Sequence, residues 1–277
     1  MQPPHILARG GRTVYNGAGD DMKIAYAGFD LMAPALEALC EENELLRLFT
    51  CAVDGRYETN GRVIALAGSA GAPYTMERIT PADIDALVDA GCELLVSAGY
   101  YYRIPIDSRL PMVNIHPSLL PYGRGAWPMP RAILDRLPVS GVTVHKTEES
   151  FDTGDILLQE SFALADEETL VSFMDKVNGL LPAMMRALTA DFDRLWREAK
   201  PQGAGEYQPE PDPEDYVLTR ADTAAYADRV LRAFCGFPCY YRDDAGVIRE
   251  LLYARAAAGE SAGQPYPLRD GYVEVNG

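Results

Sequence analysis

From Met22 onward, short apolar runs alternate with helix-spaced segments, and this alternation confines the chain to an α/β architecture. Ile24–Ala27 reads as a first strand closed by Gly28, and Leu31, Ala35, Leu36 and Leu39 follow at helical spacing. Leu45–Val53 reads as a second strand and Gly61–Gly68 as a short helix. A further helix opens at Pro81, with Thr80 as its cap and proline in its first turn. Leu94-Leu95-Val96, Met112–Ile115, Gly141–His145 and Ile156–Phe162 supply four more strands. This order predicts a mostly parallel sheet with helices on both faces. From Glu167 to about Lys200 the pattern is one long amphipathic helix, with Pro182 marking a kink or break.

The flanks differ from this core. Residues 1–21 carry Gly10-Gly11, Gly17 and Gly19 and no apolar periodicity, so they read as a flexible leader before a domain over 22–200. Residues 201–214 hold Pro209, Pro211 and Pro213 alternating with acids, the composition of a stiff linker. Residues 215–277 form a small C-terminal α+β or β subdomain, with one helix near Arg220–Phe234. Strand-like pieces lie around Pro238–Arg242, Val247–Ala254 and Tyr272–Val275.

Charge and composition narrow the function. The 277 residues include 41 acids against 25 Lys+Arg, a formal net charge of −16, which disfavours nucleic acid or an anionic membrane as partner. No apolar run is long enough to span a membrane, and Met1-Gln2-Pro3-Pro4 lacks the basic start of a secretory signal. Cys40, Cys51, Cys92, Cys235 and Cys239 include no C-x-x-C pair, so free thiols in a cytoplasmic protein are expected. Three histidines (His5, His116, His145) make a multi-histidine metal site improbable, and no metal is expected. Gly28-Phe29-Asp30 lacks the glycine fingerprint of a dinucleotide site.

The informative stretch is Val113-Asn114-Ile115-His116-Pro117-Ser118-Leu119-Leu120-Pro121. Asn114 and His116 are two apart at a strand end, so both side chains share a face. Asn offers an N–H donor for a developing oxyanion, and His a proton relay near neutrality. A third, orienting group is expected from Ser150-Phe151-Asp152-Thr153-Gly154-Asp155. On spacing alone, a turn-capping Asn114 and an ordinary packed His116 are the simpler reading.

Four blocks then decide between these readings: Asn114 to Pro121, Arg124-Gly125-Ala126-x-Pro128, Gly141-Val142-Thr143-Val144-His145, and Asp152-x-Gly154-Asp155-Ile156-Leu157-x-Gln159. In order and spacing they resemble the 10-formyltetrahydrofolate-dependent formyltransferase family. Val230-Leu231-Arg232-Ala233-Phe234-x-x-Phe237-Pro238 is similar to the start of the second domain in several members. The resemblance implies a Rossmann-like domain and a catalytic trio of Asn114, His116 and Asp152. Asp152 would hold His116 and raise its pKa, and a protonated His116 with the Asn114 N–H would stabilise the oxyanion. It also implies 10-formyltetrahydrofolate as co-substrate, with Ala98, Gly99, Tyr100, Tyr102 and Ile104 on one side of the folate and Thr147 and Phe151 on the other. Ser118, Arg124 and Trp127 would meet the acceptor. The order Tyr122-Gly123-Arg124-Gly125 departs from the family, where Tyr often directly precedes the Arg-Gly pair, and His145 is left without a role.

The acceptor is expected to be a small-molecule amine. Residues 201–277 hold 13 acids, 7 arginines and no lysine, a poor surface for tRNA. An amino-sugar nucleotide comes first, its diphosphate met by Arg124, Arg131 or Lys146. An amino acid, hydroxyornithine or another specialised-metabolite amine comes next. Outside that class stand a 10-formyltetrahydrofolate hydrolase and a non-catalytic folate-binding protein. A homodimer is left open.

Overall fold

A computed structural model describes residues 21–53, 55–260 and 262–275. The expected leader lies outside the described residues except for Asp21. Strand β1 (Met22–Gly28) leads through a short turn of 3₁₀ helix into α1 (Ala33–Glu42), and β2 (Asn43–Phe49) follows with no loop. The strand therefore starts two residues earlier than its apolar run. The Asn43 side chain donates to the Leu39 carbonyl at 2.8 Å, satisfying a helix-end acceptor where a loop would otherwise be needed. Next come α2 (Gly61–Ser69), β3 (Tyr74–Thr75) and α3 (Pro81–Asp89). Thr80 and Asp83 form the capping box of α3.

The chain continues through β4 (Leu94–Ala98), β5 (Met112–His116), β6 (Arg124–Gly125), α4 (Pro128–Leu134), β7 (Val139–Lys146) and β8 (Ile156–Ala163). Seven strands form one sheet in the order β3-β2-β1-β4-β5-β7-β8. The first five are parallel; β7 runs antiparallel to both β5 and β8. Helix α5 (Leu170–Ala190) continues through Pro182 instead of breaking there and ends at Asp191, before α6 (Phe192–Arg197). Leu181, Met184 and Met185 are buried beside the proline. Burying such side chains contributes about 1.5–3 kcal/mol each, enough to offset the roughly 3 kcal/mol that an interior proline costs.

Beyond α6 lie β9 (Tyr207–Gln208), β10 (Val217–Thr219), α7 (Ala224–Ala233), β11 (Cys239–Arg242), β12 (Ile248–Leu251), β13 (Ala254–Ala258) and β14 (Gly271–Val275). β9 pairs with β6, β10-β11-β12 form a three-stranded sheet, and the antiparallel β13-β14 pair packs on α7. No helix among the described residues is long and apolar enough to cross a membrane.

The two sheet faces are treated differently. Ile24, Tyr26, Val96, Val113, Ile115, Val142 and Val144 point into the larger core, which also takes the buried faces of α1, α4, α5 and α7. Ala25, Ala27, Leu95 and Met112 point the other way, under α3. That second core stops at Met112. Continuing across the same face on β5 and β7, the side chains become Asn114, His116, Thr143 and His145. Half of one face is thus left to polar groups, and they build the site.

Candidate functional site

Register explains the first convergence. Asn114 pairs with His145 and His116 with Thr143 across the β5–β7 ladder, so four polar side chains stand on one face as near neighbours. Asp152 arrives by another route. The loop carrying it leaves β7 beside Val113, near the start of β5, and folds back across the sheet. The site therefore lies on the sheet face. His116 is the last residue of β5.

Asp152 is the hub. Its Oδ1 lies 3.4 Å from His116 Nδ1, 3.4 Å from His145 Nε2 and 3.3 Å from Asn114 Nδ2. Its Oδ2 accepts the Gly125 N–H at 2.8 Å. Its backbone sits at φ +55°, the left-handed region that non-glycine residues occupy at a cost. Burial pushes the carboxyl up, yet His116, His145 and the Gly125 N–H together hold it below the ordinary range.

The two imidazoles differ. His145 Nδ1 lies 2.8 Å from the Lys146 carbonyl, so that nitrogen carries the proton and Nε2 faces the Asn114 amide at 3.2 Å. His116 Nε2 lies 2.6 Å from the Gly123 carbonyl and donates to it, leaving Nδ1 toward Asp152. Burial holds His116 below the ordinary histidine range, against the upward pull of Asp152 and of the Gly123 carbonyl. Asp152 does pull the His116 pKa upward, as expected, but burial of the ring outweighs it and the net direction is downward, which favours the neutral ring.

Asn114 keeps a free hand. Its Nδ2, His145 Nε2 and Asp152 Oδ1 form a near-equilateral triangle with sides of 3.2, 3.3 and 3.4 Å. The two acceptors subtend about 60° at the amide nitrogen, half the roughly 120° between its two N–H bonds. One N–H serves both, and the other is available to a ligand.

The two segments expected around folate face each other. Arg103 donates to the Glu149 carbonyl and lies over the Phe151 ring at 5.2 Å, joining the 99–104 and 147–152 loops. Ala98 is buried at the end of β4, and Gly99 holds φ +71° with the Phe29 ring where a Cβ would point. Tyr100 turns inward, its hydroxyl accepting from Ile79 N–H at 3.2 Å, and Ile104 belongs to the second core. Tyr102 packs edge-on to Tyr100 under Arg78. Phe151 is 48 % exposed. Thr147 Oγ1 is buried with no hydrogen-bond partner, and its backbone N–H goes to Met112.

The expected acceptor residues fare differently. Ser118 donates to the Tyr122 carbonyl at 2.7 Å and is 2 % exposed, so it fastens its own loop. The Arg124 guanidinium is taken up by Gln202 and by the carbonyls of Gly203 and Gly205. Arg131 pairs with Asp135 and Lys146 with Asp155, so none of the three cations named for a diphosphate is without an internal partner. Trp127 alone faces other aromatics: Phe237 lies against it edge-on at 4.5 Å, and Tyr57 stacks on Phe237 at 5.7 Å. Two contributors escaped the sequence reading. His145 was detectable from the alternation of β7, had its register with β5 been known; Gln202 sits in apparent linker and gave no signal.

Among the described residues no group of side chains has metal-ligand geometry. A family model described as Formyl transferase matches residues 50–188. The chain is 29% identical over 266 residues to the methionyl-tRNA formyltransferase of Cereibacter sphaeroides, covering 91% of this chain and 86% of that one. Its fold is similar to that of a sugar N-formyltransferase from a Shewanella species, with a TM-score of 0.63, 20% identity and coverage of 83% and 96%. It is also similar to that of HypX from Aquifex aeolicus in complex with tetrahydrofolic acid, with a TM-score of 0.66 and 17% identity, over 92% of this chain and 43% of HypX.

Proposed function

Because this chain belongs to the formyl transferase family, we propose that it moves a formyl group from 10-formyltetrahydrofolate to the amine of an amino-sugar nucleotide, with Asn114, His116 and Asp152 as the reacting trio. The observation that carries this reading is the Asp152 carboxylate within 3.4 Å of His116 Nδ1 and Asn114 Nδ2.

Transfer needs three things of the protein. The formyl oxygen gathers negative charge as the amine attacks, and the second N–H of Asn114 would donate to it. The amine sheds a proton as its new C–N bond forms. His116 takes it at Nδ1, where Asp152 balances the new positive charge, and returns it as the bond to the folate nitrogen breaks. A resting neutral ring suits this cycle, because an imidazolium already formed could not accept the proton. The site must also hold a flat pterin. The pairing of the 99–104 and 147–152 loops, the exposed Phe151 ring and the unpartnered Thr147 hydroxyl fit a partly aromatic, hydrogen-bonding ligand.

Two observations support a small acceptor. The wall two residues beyond Gly125 is aromatic, built from Trp127, Phe237 and Tyr57, and suits stacking of a ring. The 201–277 region, with 13 acids and 7 arginines, would repel a phosphate backbone. The test incubates the protein with 10-formyltetrahydrofolate and, separately, amino-sugar nucleotides, amino acids, hydroxyornithine, charged initiator tRNA and no amine, following tetrahydrofolate release. Release with amino-sugar nucleotides alone is expected. Release with tRNA alone, or equal release without amine, overturns the acceptor assignment.

A further inference from the structure

We propose that Gln202 is a positioning residue for Asp152, its side-chain amide clamping the Asp152 loop to Arg124; the catalytic meaning of this clamp rests on the reading given above. Gln202 Nε2 donates to the carbonyls of Asp152 at 3.0 Å and Gly154 at 2.7 Å. Its Oε1 accepts from both Nε and Nη2 of Arg124, at 3.1 and 2.8 Å. Arg124 donates onward to the carbonyls of Gly203 and Gly205. One neutral amide thus joins an acceptor-rich loop to a donor-rich fork, and only a side chain with N–H at one corner and oxygen at the other satisfies both.

The clamp closes a ring around the reacting carboxylate. Gly125 follows Arg124 and gives its N–H to Asp152 Oδ2. Arg124 and Gly125 pair in parallel with Tyr207 and Gln208, so beyond Gln202 the strap returns to the backbone whose Arg124 side chain Gln202 holds. At its other end Lys200 and Ile156 exchange two backbone bonds of 2.8 and 2.9 Å. The approach is close throughout. A Cβ on Gly205 would strike the Pro121 carbonyl, and one on Gly125 the Gln208 carbonyl. Simple anchoring of a connecting segment is already provided by Lys200 and Tyr207. What Gln202 adds is a grip on the carbonyl of a residue held at φ +55°, a conformation that persists only where its surroundings enforce it. Asp152 would relax without it, and the carboxylate would leave His116.

The experiment uses the full chain with Gln202→Ala and Gln202→Glu. Glutamate keeps an oxygen for Arg124 but turns oxygen toward two carbonyls. The first reading needs no substrate: the NMR titration of His116, which is faced by Asp152, His145 and the Gly123 carbonyl. Loss of the carboxylate should move the His116 midpoint downward in both variants. Exchange of the Gly125 amide should quicken about tenfold or more. In the transfer assay kcat should fall about a hundredfold while KM for the folate donor stays within about threefold. An unchanged His116 titration in folded Gln202→Ala, or wild-type values in Gln202→Glu, overturns the proposal. If Gln202→Ala does not fold, Gln202→Asn, one methylene too short to span both partners, is read by the same criteria. A wild-type protein that transfers no formyl group, with His116 still shifting in the variants, refutes the functional reading and leaves the clamp standing.

Discussion

Replacing Asp152 with asparagine preserves shape and removes one charge, which makes it the sharpest probe of the site. The carboxylate accepts the Gly125 N–H at Oδ2 and an Asn114 N–H at Oδ1, so both oxygens act as acceptors, while the unprotonated His116 Nδ1 and His145 Nε2 each lie 3.4 Å from Oδ1. An amide must turn an NH₂ toward one of these groups, losing a hydrogen bond to a charged acceptor worth about 1.5–3 kcal/mol. The charge itself lies 3.4 Å from His116 Nδ1, an attraction of about 5 kcal/mol for the protonated ring at an effective dielectric of about 20. Part of that is spent against the burial that already opposes charging the ring. A net loss of about 2–3 kcal/mol in the transition state remains, or about a hundredfold in kcat. Without the carboxylate, His116 also sits further below the ordinary histidine range, so the pH optimum moves downward. The assay is kcat and kcat/KM for folate release from about pH 5 to 9, with amine saturating. Activity within threefold of wild type and an unmoved pH profile would refute the assignment of Asp152 as the counter-charge of His116.

Acidification should destabilise the fold in two stages. His116 is depressed below its unfolded value by burial, so its contribution is complete above about pH 6.5 and is lost as pH falls below it. Asp152 is also depressed, so its contribution is present above about pH 4 and lost as pH falls through its folded value. Thermal midpoints against pH should show both limbs, and Asp152→Asn should remove the lower one; a midpoint flat from pH 7 to pH 4 would contradict this. Asn114→Ala should cost about 3 kcal/mol, a little over a hundredfold in kcat, with folate affinity measured by fluorescence nearly unchanged. Gly125→Ala should inactivate, since residue 125 sits at φ +104° and the added Cβ collides with the Gln208 carbonyl; full activity at wild-type Tm would show that the strap does not press on this loop. Thr80→Ala should lower stability by about 1 kcal/mol through loss of the α3 capping box, leaving kcat untouched in the same assay.

The strands and helices of the sheet were legible because each is encoded locally. Short apolar runs mark β1, β4 and β5, and Thr80-Pro81 announces α3. Asn114 and His116 were placed on one face by the two-residue period of a strand, which needs no partner to be known. Their chemistry became specific only when the spacing of four blocks resembled one family, and that information is evolutionary instead of physical. Pro182 does not break the helix, because local preference was asked a question that packing answered: the buried side chains around it outweigh the missing hydrogen bond.

The sequence by itself therefore determined the α/β class, the acidic surface, the capped helices and the residue types able to move a formyl group. Tertiary structure alone decided that Asp152 reaches back across the sheet, that His116 is neutral at rest, and that Arg124 grips Gln202. Each of these depends on groups far apart in the chain: 38 residues between Asn114 and Asp152, 78 between Arg124 and Gln202. Periodicity reports which face a side chain takes on its own element. Desolvation and hydrogen-bond partnership belong to the space between elements, and they exist only once the chain has folded.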